Sequence, residues 1–386
     1  MKSIKDYNIK GKRVLIRCDL NLPLDEKGNV LDDFRIKRSV PTIEYLIKNR
    51  AKVVLMSHLG RPEGKVKKEF SLSPIQEKLL EYLDFSITKA KGCIGKEIEK
   101  WTHNMQEGEI LLLENLRFYK GEVENDINFT KSLSKMGDIF VNDAFAVSHR
   151  NHASIVGLPK FLPSATGLLF EEELKNLSKI LKKPKRPLVG IIGGAKLDSK
   201  IKPIKKFLEK TDSLLVGGKI ANIIFASKGF STRKPLPKPE VLKEIEKLEL
   251  TNPRLHLPVD VVVRLNNTYT RIAGSANLRK GEKALDIGPE TVSLFSKIIK
   301  NSKTIFWAGP LGKIEEKEFA IGSLGVARAI IKSKAFSVAG GRETTSFLRE
   351  YSLADKFSYL STAGGAMLEF LSKGTLAGIE ALKDSK

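Results

Sequence analysis

The stretch that opens with VLIRCDL (14–20) and continues through PTIEYLIKN (41–49), KVVLMSH (52–58) and PIQEKLLEYL (74–83) decides the fold. Two short β-branched or leucine-rich runs each lead into a longer segment with apolar residues at helical spacing, so the order is strand, helix, strand, helix. Strands separated by a helical crossover rather than a hairpin turn run parallel. The same rhythm returns at EILLLEN (109–115), DIFVNDAF (138–145), PLVGIIGG (187–194), DSLLVGG (212–218), TIFWAGP (304–310) and AFSVAGG (335–341). Almost every run ends in a polar or glycine-rich turn. In open parallel sheets ligands bind just beyond the carboxyl ends of the strands, so those turns are where chemistry is expected.

A chain of 386 residues exceeds one ordinary core, and two domains are expected. Around 166–183 the sequence GLLFEEELKNLSKILKKP reads as a charged helix ending in Lys-Pro, a natural connector. This divides the chain into a first domain (1–165), a connecting helix (166–183), a second domain (184–368) and a tail (369–386) whose weakly amphipathic end permits packing back on the first domain. The Lys/Pro segment TRKPLPKPE (232–240) reads as a surface loop. No stretch is both apolar and long enough to cross a bilayer, and the N-terminal MKSIKDYNIKGKR lacks the apolar core of a signal peptide, so a cytoplasmic protein with no membrane contact is expected. Cys18 and Cys93 lie far apart with no CxxC spacing, which points to reduced thiols rather than zinc or redox work. The formal charge of +22 favours polyanionic or phosphorylated partners but does not choose between them.

Polar residues gather at the strand ends of the first half. Asp19 and Asn21 follow the first strand on a proline-punctuated turn, where they suit hydroxyl groups or form a simple Asx turn. His58 and Arg61 follow the second strand in SHLGRP (57–62), Arg117 follows another in ENLRF (114–118), and Arg150 comes after DIFVNDAF (138–145). Arg35, behind Asp32-Asp33, adds one more. Each alone is more often structural or solvated, but arginines at successive strand ends converge on one rim, and guanidinium forks match phosphate and carboxylate oxygens.

The second half ends its strands in glycine. Gly193-Gly194-Ala195-Lys196 opens a helical stretch, placing backbone amides and a lysine toward a phosphate, with Lys200 one helical turn on. Neither a Walker A spacing nor a GxGxxG is present. Gly217-Gly218, WAGP (307–310) and Gly340-Gly341-Arg342-Glu343-Thr344 repeat the glycine turns and together resemble a nucleotide cradle. Glu343 at a helix start is placed to hold Mg²⁺ on nucleotide phosphates, or is simply an acid favoured by the helix dipole.

Taken in order, RCDLNLP (17–23), SHLGRP (57–62), ENLRF (114–118), DAFAVSHRNH (143–152), GGAKLDSKI (193–201), ALDIGP (284–289), WAGPLG (307–312) and STAGGAMLEF (361–370) resemble the segments of the phosphoglycerate kinase family from roughly Arg13 to Gly365. The resemblance implies an α/β fold of two doubly wound parallel-sheet domains joined by a hinge helix. It implies transfer of phosphate between 1,3-bisphosphoglycerate with ADP and 3-phosphoglycerate with ATP in a closing interdomain cleft, with Mg²⁺ beside the nucleotide and a monomeric enzyme. By the same resemblance the acid site is Asp19, Asn21, Arg35, His58, Arg61, Arg117 and Arg150. The nucleotide site is Lys196, Lys200, Glu315, Gly341, Arg342, Glu343 and Thr344, with Glu343 on the metal. Arg35 and Lys196 would neutralise the phosphoryl group in flight.

The departures from the family pattern all fall on the nucleotide side. Arg342 stands for a glycine and Glu343 for the metal aspartate of Gly-Gly-Gly-Asp-Thr. Lys219 replaces a third glycine, Ala308 an asparagine, and Ala363 a glycine. With the high charge, they keep open a second reading, a catalytically weakened member binding nucleic acid or another polyanion. The complete acid-site set argues against it, and nucleic acid is not the expected partner.

Overall fold

The computed structural model describes residues 1–195, 201–229, 239–266 and 269–385. Lys196, Lys200 and residues 232–238 of the Lys/Pro segment lie outside them. The chain divides into two compact units, Met1–Lys175 with Thr375–Lys386, and Asn176–Gly374.

The first unit is built on β1 (Arg13–Arg17), β2 (Lys52–Met56), β3 (Ile87–Lys89), β4 (Ile110–Leu112), β5 (Ile139–Asn142) and β6 (Ser164–Thr166), in the order β3-β4-β2-β1-β5-β6. Every pairing is parallel, with Val14 opposite Val53 and Ile139, and Ile16 opposite Leu55 and Val141. Val14 to Arg17 are all buried, as a strand covered on both faces requires. The crossovers carry α1 (Phe34–Lys48), α2 (Ser73–Leu80), α3 (Lys96–Asn104), α4 (Lys120–Glu124) and α5 (Ile127–Ser134), and α6 (Leu168–Leu181) follows β6. α1 begins seven residues earlier than the periodic run at 41–49 suggests, so Pro41 sits inside it. Its ring removes one backbone donor, yet it lies on the exposed side, where water can serve the carbonyl left over. Ile36, Ile43, Leu46 and Ile47 bury the opposite stripe and hold the helix against the sheet.

The second unit also centres on a six-stranded parallel sheet, with a different strand order. β7 (Leu188–Ile192), β8 (Ser213–Val216), β9 (Leu255–His256), β10 (Asp260–Leu265), β11 (Tyr269–Gly274), β12 (Lys283–Ile287), β13 (Thr304–Ala308), β14 (Phe336–Gly340) and β15 (Tyr359–Ser361) form two sheets. The larger is parallel in the order β15-β14-β13-β7-β8-β9. The smaller is antiparallel, β11-β10-β12, over a small cluster of Val261, Val263, Ala273 and Ala284. It has no counterpart in the sequence reading, because β11 is largely exposed and shows no apolar alternation. Helices α7 (Ile201–Lys210), α8 (Gly218–Ser227), α9 (Pro239–Glu246), α10 (Pro289–Lys300), α11 (Ile321–Ser333), α12 (Arg342–Glu350) and α13 (Gly365–Lys373) follow. Trp307, Phe295 and Phe347 anchor the core.

The division between the units falls inside α6, between Lys175 and Asn176. The last helix, α14 (Ala377–Lys383), belongs to the first unit, where the Gly378 amide donates to the Ser148 carbonyl at 2.8 Å. A side chain at 378 would meet Ser148 and Ile155 at about 3 Å, so glycine permits the close approach. Among the described residues no helix is long and apolar enough to cross a membrane.

Candidate active site

In the first sheet the chain leaves β1 for β2 on one side and returns to β5 on the other, so β1 marks the point where strand order reverses. A crevice is expected at the carboxyl ends of the strands there. Asp19 and Asn21 follow β1, His58 and Arg61 follow β2, Arg117 lies in a 3-10 turn after β4, and Arg150 comes after β5. Arg35, in the first turn of α1, reaches the same rim and pairs with the Asp19 carboxylate at 2.8 Å. All seven predicted acid-site residues lie along this edge of one unit.

The turn after β1 is both an Asx turn and a binding element. The Asn21 amide donates to Asp19 Oδ1 at 3.3 Å, while Asn21 Oδ1 accepts from the Gly60 amide at 3.0 Å. Arg117 donates to the Gly60 carbonyl at 2.7 Å and so clamps the same loop. Burial, then the charges of Arg150 and Arg17, push the Arg117 guanidinium down to about 10, still protonated at neutral pH. Arg150 is lowered by burial and by Arg61, and its buried Nε has no hydrogen-bond partner. Among the described residues of the rim, Arg35, Arg61, Arg117 and Arg150 outnumber the Asp19 carboxylate. Such a rim suits a small polyanion.

His58 sits 2% exposed within this cationic ring. Burial and the surrounding Arg17, Arg117, Arg35 and Arg150 hold it well below the usual imidazole range, so it is neutral. Arg17 Nη2 lies 2.9 Å from His58 Nδ1. An arginine can only donate, so Nδ1 accepts and the ring proton is on Nε2. Sequence reasoning missed Arg17, which reads as the polar end of a strand.

The second unit has its reversal between β7 and β13. Gly193 and Gly194 follow β7, and their amides donate to the Ala308 and Pro310 carbonyls at 3.0 and 2.6 Å. A methyl group at 193 would lie 2.2 Å from the Pro310 oxygen, so only glycine fits. Beside these turns opens a cavity of about 380 Å³. Its apolar lining comes from Pro258, Val261, Leu285, Ile287 and Leu311, and its polar lining includes Lys219, Asn222, Glu315 and Glu343. A flat ring suits the first set, and hydroxyl and phosphate groups suit the second.

Glu315 and Glu343 of the predicted nucleotide set line this cavity. Gly341 caps α12 with φ +93°, a conformation that favours glycine. Arg342 is exposed as the first residue of that helix. Thr344 is fully buried, and its hydroxyl accepts the Gly309 amide at 2.8 Å, tying the helix to the turn after β13. Lys196 and Lys200 lie outside the described residues. Asp286 also lines the cavity, but its oxygens accept the Ile287 and Gly322 amides, and burial pushes it up to about 7.

The family model for phosphoglycerate kinase matches residues 4–374. The chain belongs to the phosphoglycerate kinase family. The phosphoglycerate kinase of Desulfosudis oleivorans is 44% identical over 391 residues, 99% of each chain. That of Aquifex aeolicus is 39% identical over 396 residues, covering 100% of this chain and 99% of its own. Among solved structures, phosphoglycerate kinase from Pyrococcus horikoshii OT3 aligns with a TM-score of 0.87 at 32% identity, covering 99% of this chain and 98% of that one. The Coxiella burnetii phosphoglycerate kinase aligns with a TM-score of 0.81 at 38% identity, covering 100% and 99%. Of the departures from the phosphoglycerate kinase pattern, Ala308 and Ala363 are buried and pack the turns, whereas Lys219 and Arg342 are exposed and add charge.

Proposed function

We propose that the chain catalyses the phosphoglycerate kinase reaction of glycolysis, moving a phosphoryl group reversibly between 1,3-bisphosphoglycerate with ADP and 3-phosphoglycerate with ATP. The observation that carries this reading is the rim of Arg35, Arg61, Arg117 and Arg150 around a neutral, buried His58, with Asp19 and Asn21 on the adjoining turn. The arginines bind the phosphate and carboxylate of the acid, His58 donates from Nε2, and Asn21 meets the hydroxyl. The cavity of the second unit takes the nucleotide, with Glu315 on the ribose and the glycine turns on the phosphates.

In the direction of ATP use, a carboxylate oxygen of 3-phosphoglycerate attacks the γ-phosphorus. The bond from that phosphorus to the β–γ bridging oxygen breaks, and ADP leaves with the electron pair. No proton moves and no enzyme group is modified, so the protein's contribution is placement and neutralisation of charge on the transferring group. Arg35 and Lys196 supply that neutralisation in this reading.

Glu343 fits a nucleotide-borne Mg²⁺. It is an exposed carboxylate on the cavity wall, and Mg²⁺ is commonly held by one or two carboxylates plus substrate phosphates. When bound, the ion would neutralise the β- and γ-phosphate oxygens.

The test is a coupled assay of ATP- and Mg²⁺-dependent phosphorylation of 3-phosphoglycerate, with Arg35→Ala and Lys196→Ala beside the unaltered chain. Turnover that collapses in both variants supports the assignment. A folded wild type without turnover would overturn it.

A further inference from the structure

Behind the rim of the first unit lies a buried polar chain that substrate contact does not explain. Arg17, the last residue of β1, is 1% exposed, and its side chain is turned to partners within the protein. Its three nitrogens are spoken for by three different partners. Nε donates to Ser154 Oγ at 3.0 Å, Nη1 to the Cys18 carbonyl, and Nη2 to His58 Nδ1 at 2.9 Å. Ser154 in turn donates from its hydroxyl to Glu122 Oε1 at 2.7 Å and from its amide to Oε2 at 3.0 Å. Glu122 is fully buried, and His152 Nδ1 stands 3.6 Å from it. A buried cation and a buried anion are thus joined through one serine, with the cation's free arm aimed at the imidazole. Single charges so enclosed persist only when compensated in this way.

We propose that Arg17 is a positioning residue that holds His58 as the neutral Nε2–H tautomer, and that Ser154 and Glu122 hold Arg17. Protonation at His58 Nδ1 would set two donors against each other at 2.9 Å. The charged groups facing the imidazole are Arg17, Arg35, Arg117 and Arg150, with Asp19 Oδ1 3.9 Å from Nδ1 as the one opposing carboxylate. Burial and the arginines outweigh it, and the ring stays neutral while presenting a fixed donor to the acid. The value of the device to the reaction rests on the proposed function, but the tautomer is a property of the free protein.

Imidazole ¹⁵N–¹H correlation spectra of the full chain, without ligand, read that tautomer directly, with the His58 signals assigned by their loss in His58→Gln. The wild type is expected to show the Nε2–H pattern for His58 unchanged from about pH 5.5 to 8, against an ordinary imidazole midpoint of about 6.5. Arg17→Met, which keeps length and removes the donor, is expected to mix the tautomers, while burial and the remaining arginines still hold His58 neutral in that window. Ser154→Ala, the milder variant, should mix them partially if Arg17→Met fails to fold, as judged by its melting curve. In the coupled assay both should raise the KM for 3-phosphoglycerate about two- to tenfold, the worth of one net hydrogen bond, and leave the KM for ATP unchanged. A wild-type His58 that carries its proton on Nδ1 or titrates in the window overturns the proposal. So does a folded Ser154→Ala or Arg17→Met with the wild-type spectrum and KM. Failure of turnover in the wild type would instead overturn the activity while leaving the tautomer result standing.

Discussion

The two candidate sites each lie where the strand order of a six-stranded parallel sheet reverses, and they are made of different material. At the rim of the first unit the work is done by side chains that hold one another, Arg35 on Asp19, Arg17 on His58 and Arg117 on the Gly60 carbonyl. At the cavity of the second unit it is done by backbone, with Gly193 and Gly194 bonded to the carbonyls of the neighbouring turn and Gly341 opening a helix. A side-chain site should lose function in graded steps as groups are removed. A backbone site should fail when a single methyl group is added. The departures from the family pattern fall in the second unit. Exposed positions such as Lys219 and Arg342 can change while the glycine contacts that shape the cavity persist.

The largest effect is expected at Arg35. Arg35→Ala removes a guanidinium from the rim and leaves Asp19 without its partner, and kcat/KM for 3-phosphoglycerate should fall by about 10²–10³-fold, as for loss of one transition-state donor. Steady-state kinetics with each substrate varied would check it. A loss confined to the KM for ATP would break the assignment of the two sites.

Next in size is Gly193→Ala. Its added carbon would lie 2.2 Å from the Pro310 oxygen and 2.7 Å from the Gly309 oxygen, both backbone atoms that cannot rotate away. ATP affinity by calorimetry should fall at least about tenfold, with 3-phosphoglycerate binding within about twofold of wild type, since sites that share no contact are nearly additive. Equal loss of both ligands would dissolve the contrast between the units. Smaller again is Glu343→Gln. Removing one carboxylate from the cavity wall should raise the Mg²⁺ concentration for half-maximal rate about three- to tenfold without moving the KM for 3-phosphoglycerate.

How much of this was legible in the sequence follows the same division of material. The strand runs at 14–20, 52–58 and 304–310 declared themselves because strands buried on both faces are continuously apolar, and acid-site residues fell at the ends of the first two. The helix over Phe34–Lys48 was half-hidden because Pro41 is a local stop signal that its buried stripe overrides. The antiparallel sheet was invisible because β11 is solvent-facing and its small core is assembled from residues far apart in the chain. Arg17 escaped for a related reason. Its partners Ser154 and Glu122 are more than a hundred residues away, and nothing in RCDLNLP distinguishes a buried cation from an exposed one.

The last effects expected fall on stability rather than turnover, and come from a pair of buried acids, one in each unit. Burial pushes both Asp143 and Asp286 up to about 7. An unfolded Asp titrates near 4, so between about pH 4 and 7 the folded state holds a proton that the unfolded state releases. Each group's contribution to stability is therefore fullest below pH 4, declines as pH rises to about 7, and is flat beyond. The surroundings then part company. Asp143 uses Oδ1 to accept the Phe170 amide at 3.1 Å, with the Thr42 hydroxyl and the Leu169 amide close by, while its buried Oδ2 makes no full hydrogen bond, so an amide nitrogen could replace that atom without breaking one. Both oxygens of Asp286 accept amides, from Ile287 at 2.9 Å and Gly322 at 2.7 Å, and an Asn there would set nitrogen against one of them. Asp143→Asn should flatten the melting temperature between pH 4 and 7 with little loss at pH 7. Asp286→Asn should flatten it as well but lower stability by about 1–3 kcal/mol, the penalty of an unsatisfied buried donor, or roughly 2–10 °C in a unit of this size. Melting curves of the two variants across that pH range decide the matter. Equal losses at pH 7 would mean that the amide bonds to Asp286 carry no more than the weaker set around Asp143.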